Sequence, residues 1–255
     1  MKKIKYIKKT MKTITPFILV LITMVSGLHC QNKEKIRTLI ITGGHEFERE
    51  SFFAMFNSFP DITYHEIEQP EANQAYASPM IDSVDVLIFY DMVQQITDEQ
   101  KKAFLHLLDQ GKSMLFLHHA LVSYQDWDEF TKIIGGKYYL ESDGNENPDQ
   151  PQSTYRHDVD VPVSIADKST PVTQGLSDFT IHDEIYGNFM VLPGVLPLLT
   201  TNQPESGEIL GWINHYRKAM IVYIQLGHDH AAYENANYRQ LINQAIHWLA
   251  DPRIQ

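Results

Sequence analysis

Four short apolar runs at intervals along the chain constrain its fold more than any other feature. RTLIIT (37–42), VDVLIFYD (84–91), KSMLFL (112–117) and MIVYIQL (220–226) are rich in β-branched, aromatic and leucine residues, as buried strands are. RTLIIT is closed by Gly43 and Gly44, which predict a turn. Helical patterns separate the runs of the first half. One starts near Glu48, carries Phe52, Phe53, Met55, Phe56 and Phe59, and is stopped by Pro60 before a further strand pattern, ITYHEI, at 62–67. Another opens on Thr97 with Gln100 three residues on, a capping-box signature, and ends at Gly111. A last helix is predicted over 238–249, packing Leu241, Ile242, Ala245, Ile246, Trp248 and Leu249. Strands alternating with helices imply right-handed crossovers and an α/β fold, with a mostly parallel sheet flanked by helices on both faces. HDVDVPVSI (157–165) and LGWINHY (210–216) suit antiparallel additions to that sheet.

The first thirty residues stand apart. Lys2, Lys3, Lys5, Lys8, Lys9 and Lys12 form a basic region and Phe17 to Val25 an apolar one, too short to span a bilayer as an ordinary helix, the pattern of a secretion signal. The expected location is therefore outside the cytoplasm, in the periplasm or on the membrane of a bacterial envelope. Cys30, the single cysteine, stands where the apolar stretch ends, at the place of a lipoprotein's lipid anchor, although the bulky His29 precedes it. Residues 31–255 are expected to form one domain, with the acidic ESDGNENPDQPQ (141–152) as a long surface loop.

Removing residues 1–29 takes six lysines and no acids, so the formal charge of −11 becomes −17, with 15 basic against 32 acidic residues. Such a chain repels a phosphate backbone, which argues against nucleic acid as a partner. A lone cysteine rules out an internal disulfide and a cysteine zinc knuckle, so any metal site must draw on His, Asp or Glu.

In a parallel sheet, ligands gather beyond the carboxyl ends of the strands. Three of those ends carry chemistry: GGHE at 43–46, HHA at 118–120 and GHDH at 227–230. His118 and His119 stand on a sharp strand-to-helix turn that should present one imidazole to a ligand, and His119 is the expected one, with His118 in support. The His228-x-His230 spacing suits chelation of one ion, with Asp229 able to orient an imidazole. HDEIYGNF (182–189) offers Asp183 and Glu184, paired carboxylates suited to acid and base work, beside Tyr186. Gly44 precedes His45, and glycines there let a ligand approach the backbone. Neither a phosphate loop nor a dinucleotide fingerprint is present. His65, His106 and His247 lie within periodic elements without polar company and are expected to be ordinary structural histidines.

The ordered succession GGHEF, LFLHHA, IIGGKYY, TPVTQGL with HDEIY, YIQLGHDH and the terminal NYRQLINQAIHWLA resembles the ThuA-like family, named for trehalose utilisation, over roughly residues 36–251. That family is similar to class I glutamine amidotransferases, which implies a flavodoxin-like three-layer sandwich. The resemblance also supplies a test. Where the amidotransferases carry a nucleophilic cysteine on the elbow after a central strand, this chain has LHHA, with neither cysteine nor GxSxG serine, so a thioester route is chemically closed and glutaminase activity is excluded. The first loop also departs from the family, with Glu46 and Phe47 where a further His or an aromatic is expected.

The resemblance implies sugar chemistry on a small carbohydrate. The residue types suit proton transfer next to the carbonyl of a keto sugar, leading to isomerisation, epimerisation or elimination. His119, Glu184 and His228 are the catalytic candidates, and Gly44, His45, His118, Asp183, Tyr186, Asp229 and His230 the binding ones. A divalent metal held by some of His45, His119, Glu184 and His228, or a protonated His, would be the electrophile. Tyr124, Trp127, Tyr138, Tyr139, Tyr186 and Tyr233 are candidates to stack on sugar faces. A non-catalytic carbohydrate-binding lipoprotein and a metal-dependent hydrolase remain open alternatives, as does assembly into a homo-oligomer.

Overall fold

A computed structural model describes residues 34–140 and 151–254. The leader with Cys30, and positions 141–150 of the expected acidic loop, lie outside the described residues. The apolar runs form β1 (Ile36–Gly43), β2 (Ile62–Glu68), β3 (Val86–Asp91), β4 (Ser113–Leu117) and β11 (Ala219–Ile224). These five are parallel, in the spatial order β2-β1-β3-β4-β11. The sheet continues antiparallel through β10 (Ile209–Tyr216), β9 (Leu196–Thr200), β6 (Thr154–Ile165) and β7 (Phe179–Gly187). A separate two-stranded ribbon pairs β5 (Gly136–Lys137) with β8 (Met190–Val191).

Burial of both faces of the central strands follows from the period of two along a strand. Ile40, Ile88, Leu115, Leu117, Val222 and Ile224 pack on one side with Phe52, Met55 and Phe56 of α1 (Arg49–Asn57) and Leu241, Ile242, Ala245 and Ile246 of α6 (Ala236–Leu249). Their neighbours Leu39, Ile41, Leu87, Phe89, Met114, Phe116 and Ile221 pack on the other. There they meet Phe104, Leu107 and Leu108 of α3 (Asp98–Asp109) and Phe130, Ile133 and Ile134 of α4 (Asp128–Ile134). The result is the three-layer arrangement expected. The capping box on α3 is formed, with the Thr97 hydroxyl accepting from the Gln100 amide and the Gln100 side chain accepting from that of Thr97. Two short helices, α2 (Glu71–Ala75) and α5 (His230–Glu234), were not legible in the sequence because neither is long enough to show a helical period.

The chain runs from β1 to β2 on one side and then to β3 on the other, so a crevice opens beyond the carboxyl ends of β1 and β3. Gly44 sits there at φ +80°, and a Cβ on it would fall 2.4 Å from the Met92 carbonyl oxygen. The close approach that this glycine permits is therefore that of the β3 loop, not of a ligand. Gly44→Ala is expected to destabilise the fold by on the order of 3 kcal/mol, from left-handed strain plus overlap. Urea unfolding checks it, and a loss below about 1 kcal/mol would show that the loop yields.

Below the crevice lies a buried polar network. Gln69 donates to Asp91 Oδ2 at 3.0 Å and to the Tyr124 hydroxyl at 3.1 Å, and Tyr124 donates to Asn73 Oδ1 at 2.6 Å. Gln69 Oε1 and Asp91 Oδ1 are left without a hydrogen-bond partner among the described residues. Burial pushes the Asp91 carboxyl up to about 7. A carboxyl raised in the folded state contributes stability that is complete below its unfolded value and lost as pH rises through its folded one. The wild type should therefore lose on the order of 4 kcal/mol between about pH 4 and pH 7 relative to Asp91→Asn. Equal pH dependence of urea unfolding in the two proteins would show that Asp91 is ionised throughout.

Candidate functional site

The site is built on the residue that ends β4. His118 is held at φ +48°, in the left-handed region that a side chain adopts only when its surroundings over-determine it. Sequence reasoning put His119 on the ligand side of this elbow. The structure places both at the cavity: His118 is the residue on the strained turn and its ring makes the polar contacts, while His119 lines the wall beside it. Its Nδ1 lies 2.7 Å from the backbone oxygen of Gln225, a group that only accepts, so Nδ1 carries the hydrogen. The opposite nitrogen, Nε2, faces Glu184 Oε2 at 2.8 Å, the Tyr186 hydroxyl at 3.0 Å and His228 Nδ1 at 3.2 Å. The backbone oxygen of His118 accepts from the Tyr223 hydroxyl at 3.0 Å, which fixes the elbow to β11.

Glu184 and Tyr186 come from β7, the far edge of the sheet, and reach His118 because their hairpin does not follow the sheet. β6 pairs with β9 only at Ser164 and Ile165. The rest of the β6 and β7 hairpin arches back over the carboxyl ends of β4 and β11. There Gln225 Nε2 donates to the Glu184 backbone oxygen at 3.3 Å. Burial opposes ionisation of Glu184, but the hydrogen bonds and charges of His118 and His228 outweigh it and hold the carboxyl well below its usual range. The hydrogen bond to Glu184 raises the His228 imidazole in return. Glu184 Oε2, His118 Nε2 and His228 Nδ1 thus lie 2.8 to 3.2 Å from one another.

Adjacent positions on a strand point oppositely, and Asp183 does something else. Its Oδ2 accepts from the Gly227 amide at 2.7 Å, and its Oδ1 accepts from the His228 amide at 2.9 Å and the Glu184 amide at 2.8 Å. Tyr90 donates to the Gly227 oxygen at 2.8 Å and Tyr233 to the His228 oxygen at 2.9 Å, so the turn that carries His228 is pinned from three sides. Asp183 is a support of the site and not a ligand-facing acid.

The GHDH segment likewise divides. Asp229 caps α5 by accepting from the Ala231 amide at 2.9 Å, and the exposed His230 pairs with Glu48 at 2.9 Å, so the two histidines of the His-x-His spacing do not converge. The spacing misled because the strand ends at Ile224, before it, so the two side chains do not share an extended face.

A cavity of about 250 Å³ opens beside Glu184 and His118. His45, His119, His157, Tyr138, Tyr155 and Tyr186 line it, with Met92, Val122 and Leu140 as the apolar part. It falls below the roughly 300–1,000 Å³ of pockets for drug-sized ligands, which suits a small molecule. His119 is buried in its wall, with its ring 4.3 Å from that of Tyr90 and 4.9 Å from that of His45. Its Nε2 has no hydrogen-bond partner among the described residues. Burial, and then the neighbouring His118 and His45, keep this imidazole neutral.

Of the aromatic candidates, Tyr138 and Tyr186 line the cavity. Trp127 is in the core, Tyr124 belongs to the network around Gln69, and Tyr233 bonds Tyr90. Tyr139 contacts the Met190 sulfur. Sequence reasoning missed Tyr155 and His157, the latter 3.6 Å from Glu184 and with its ring 4.5 Å from that of His228. His65 and His106 are exposed and His247 pairs with Asp61 at 3.1 Å, as ordinary surface histidines do.

The sequence matches the family model described as ThuA, trehalose utilisation, over residues 37–249. The chain belongs to the ThuA family. Comparison with curated protein sequences gives no match. Among solved structures it is similar to a ThuA-like protein from Parabacteroides merdae, with TM-score 0.70 and 19% identity, over 85% of this chain and 90% of that one. A ThuA-like protein from Bacteroides uniformis matches with TM-score 0.62 and 19% identity, over 85% of this chain and 92% of that one. At these identities the likeness bears on the fold, which is the family's α/β sandwich.

Proposed function

We propose that this ThuA-family chain is an enzyme that transfers a proton at the carbon next to the carbonyl of a keto sugar. The observation that carries this is the convergence of His118, Glu184 and His228 at a small cavity that the neutral imidazole of His119 also lines. The tyrosines suit the apolar faces of a sugar ring and its hydroxyls. His118 and His228 form the electrophilic end, where positive character sustained by Glu184 receives the carbonyl oxygen. The neutral His119 imidazole, which lines the same cavity, is the proton acceptor. As the C–H bond breaks, its electron pair moves into a carbon–carbon double bond and the carbonyl pair onto oxygen, which His118 and His228 hold as the enolate. The charge developing there offsets the burial that keeps free His119 neutral. Return of the proton to the other face gives an epimer, return at the neighbouring carbon an isomer, and loss of a β-substituent an eliminated product.

Glu184 is a poor base in this scheme, because, against the effect of burial, His118 and His228 hold its carboxyl well below the usual range. His119→Ala should lower the rate about a hundredfold or more without loss of folding. The test is incubation with glucosides and their 3-keto derivatives in deuterated water. Deuterium should enter beside the carbonyl of the keto sugars and not the parent glucosides. Binding without exchange or product would replace the enzyme by a carbohydrate-binding protein.

The basic and apolar leader supports action outside the cytoplasm, tethered at Cys30. Labelling with a radioactive fatty acid should mark the wild type and not Cys30→Ser; equal labelling would remove the anchor.

A further inference from the structure

We infer that His118 Nε2, His228 Nδ1 and Glu184 Oε2 are the ligands of one divalent transition-metal ion, bound with open positions facing the cavity. This rests on the site described above as the reacting end, and deepens it by naming what supplies the positive charge.

The argument begins with the His118 tautomer. Because Nδ1 donates to the Gln225 oxygen at 2.7 Å, a neutral His118 directs the lone pair of Nε2 toward Glu184 Oε2 at 2.8 Å, lone pair against lone pair. His228 Nδ1 lies 3.2 Å from both. Where His228 Nδ1 also carries a lone pair, three electron-rich atoms converge and call for positive charge between them. The metal-free counterpart is a protonated His118 and a His228 Nδ1–H that both donate to Glu184 Oε2.

A single cation serves all three. At metal–ligand distances of about 2.1 Å, ligands at octahedral or tetrahedral angles are roughly 3.0 to 3.4 Å apart, which is near the three separations here. The donor set decides the class of ion. Two imidazoles and one carboxylate suit zinc, iron(II), cobalt or manganese, whereas magnesium and calcium favour oxygen ligands. The orienting bond from His118 to a backbone carbonyl is the outer contact that metal-bound histidines ordinarily make. Two further features fit a reacting site more than a closed structural one. Among the described residues the protein offers three ligands rather than four, and Tyr186 places its hydroxyl 3.0 Å from His118 Nε2, at the edge of the cavity. His45 and His119, candidates by sequence, lie outside the triad.

The test uses the untagged full chain. It is stripped with a chelator and titrated with zinc by calorimetry, and cobalt(II) absorption serves as a second readout. One ion per chain is expected. His228 keeps 23% of its side-chain surface exposed and Glu184→Gln keeps the side-chain volume, so His228→Ala and Glu184→Gln should both fold; each should weaken binding by about a hundredfold or more and change the cobalt spectrum. His230→Ala should bind as the wild type does, which separates this site from one built on the His-x-His spacing. Absence of saturable binding, or equal binding in wild type, His228→Ala and Glu184→Gln, would overturn the assignment. Metal-free protein that still exchanges keto-sugar protons at full rate would also remove the metal and leave the enolisation reading standing. Stoichiometric binding by the triad with no exchange on any keto sugar would keep the metal and remove that reading.

Discussion

Glu184→Gln is expected to lower keto-sugar turnover on the order of a thousandfold while leaving the fold intact. Glutamine fills the same volume and keeps one oxygen, with an NH2 group in place of the other, so packing against Tyr186 and His118 survives. What is lost is the negative charge that sustains positive character at His118 and His228, whose nitrogens both face the same carboxylate oxygen. An interaction that matters most when an enolate forms should appear in kcat rather than KM. Steady-state exchange rates with a 3-keto glucoside, alongside thermal unfolding, check both halves. Activity within a few fold of wild type would remove Glu184 from the reacting centre.

Asp183→Ala should do the reverse, costing on the order of 4 kcal/mol of stability in urea unfolding. Its carboxylate accepts three backbone N–H groups at 2.7 to 2.9 Å, and two of them, on Gly227 and His228, belong to the turn that presents the His228 ring. Alanine leaves those buried donors unpaired. Asparagine restores one acceptor oxygen but turns N–H groups toward N–H groups, so Asp183→Asn should recover only part of the loss. A loss under about 1 kcal/mol would mean that the turn holds through Tyr90 and Tyr233 alone. Neighbours in sequence thus divide the work, one toward the reacting centre and one toward the backbone that positions it.

Several features of the site were legible in the residue order. The elbow without a nucleophile at LHHA, the chemistry on GHDH and the carboxylates of HDEIY were all visible, and all three segments meet in the structure. The assignment within each segment was less legible. Which of His118 and His119 faces the centre depends on the backbone angle at one residue, and φ +48° at His118 follows from the surrounding packing and not from the letters HH. Tyr155 and His157 escaped because Asp158 lies in an irregularity of β6, at φ +57°, where the register against β7 shifts between Arg156 and Val159. A bulge breaks the alternation by which strand faces are read, so the pattern of VDVPVSI does not extend to His157.

The sequence by itself determined the α/β class, the buried parallel strands, the family and the absence of a thiol nucleophile, because hydrophobic period, capping residues and residue identity are local properties. Only the tertiary structure decided that Glu184 belongs with His118 and His228, that Asp183 does not, and that His230 turns away to Glu48. The reason is the path of one hairpin. β6 and β7 leave the sheet after a two-residue pairing with β9 and fold back over strands that lie three and more positions away in the sheet. A contact of that kind is set by how the hairpin packs on the loop after β11, and no spacing along the chain records it.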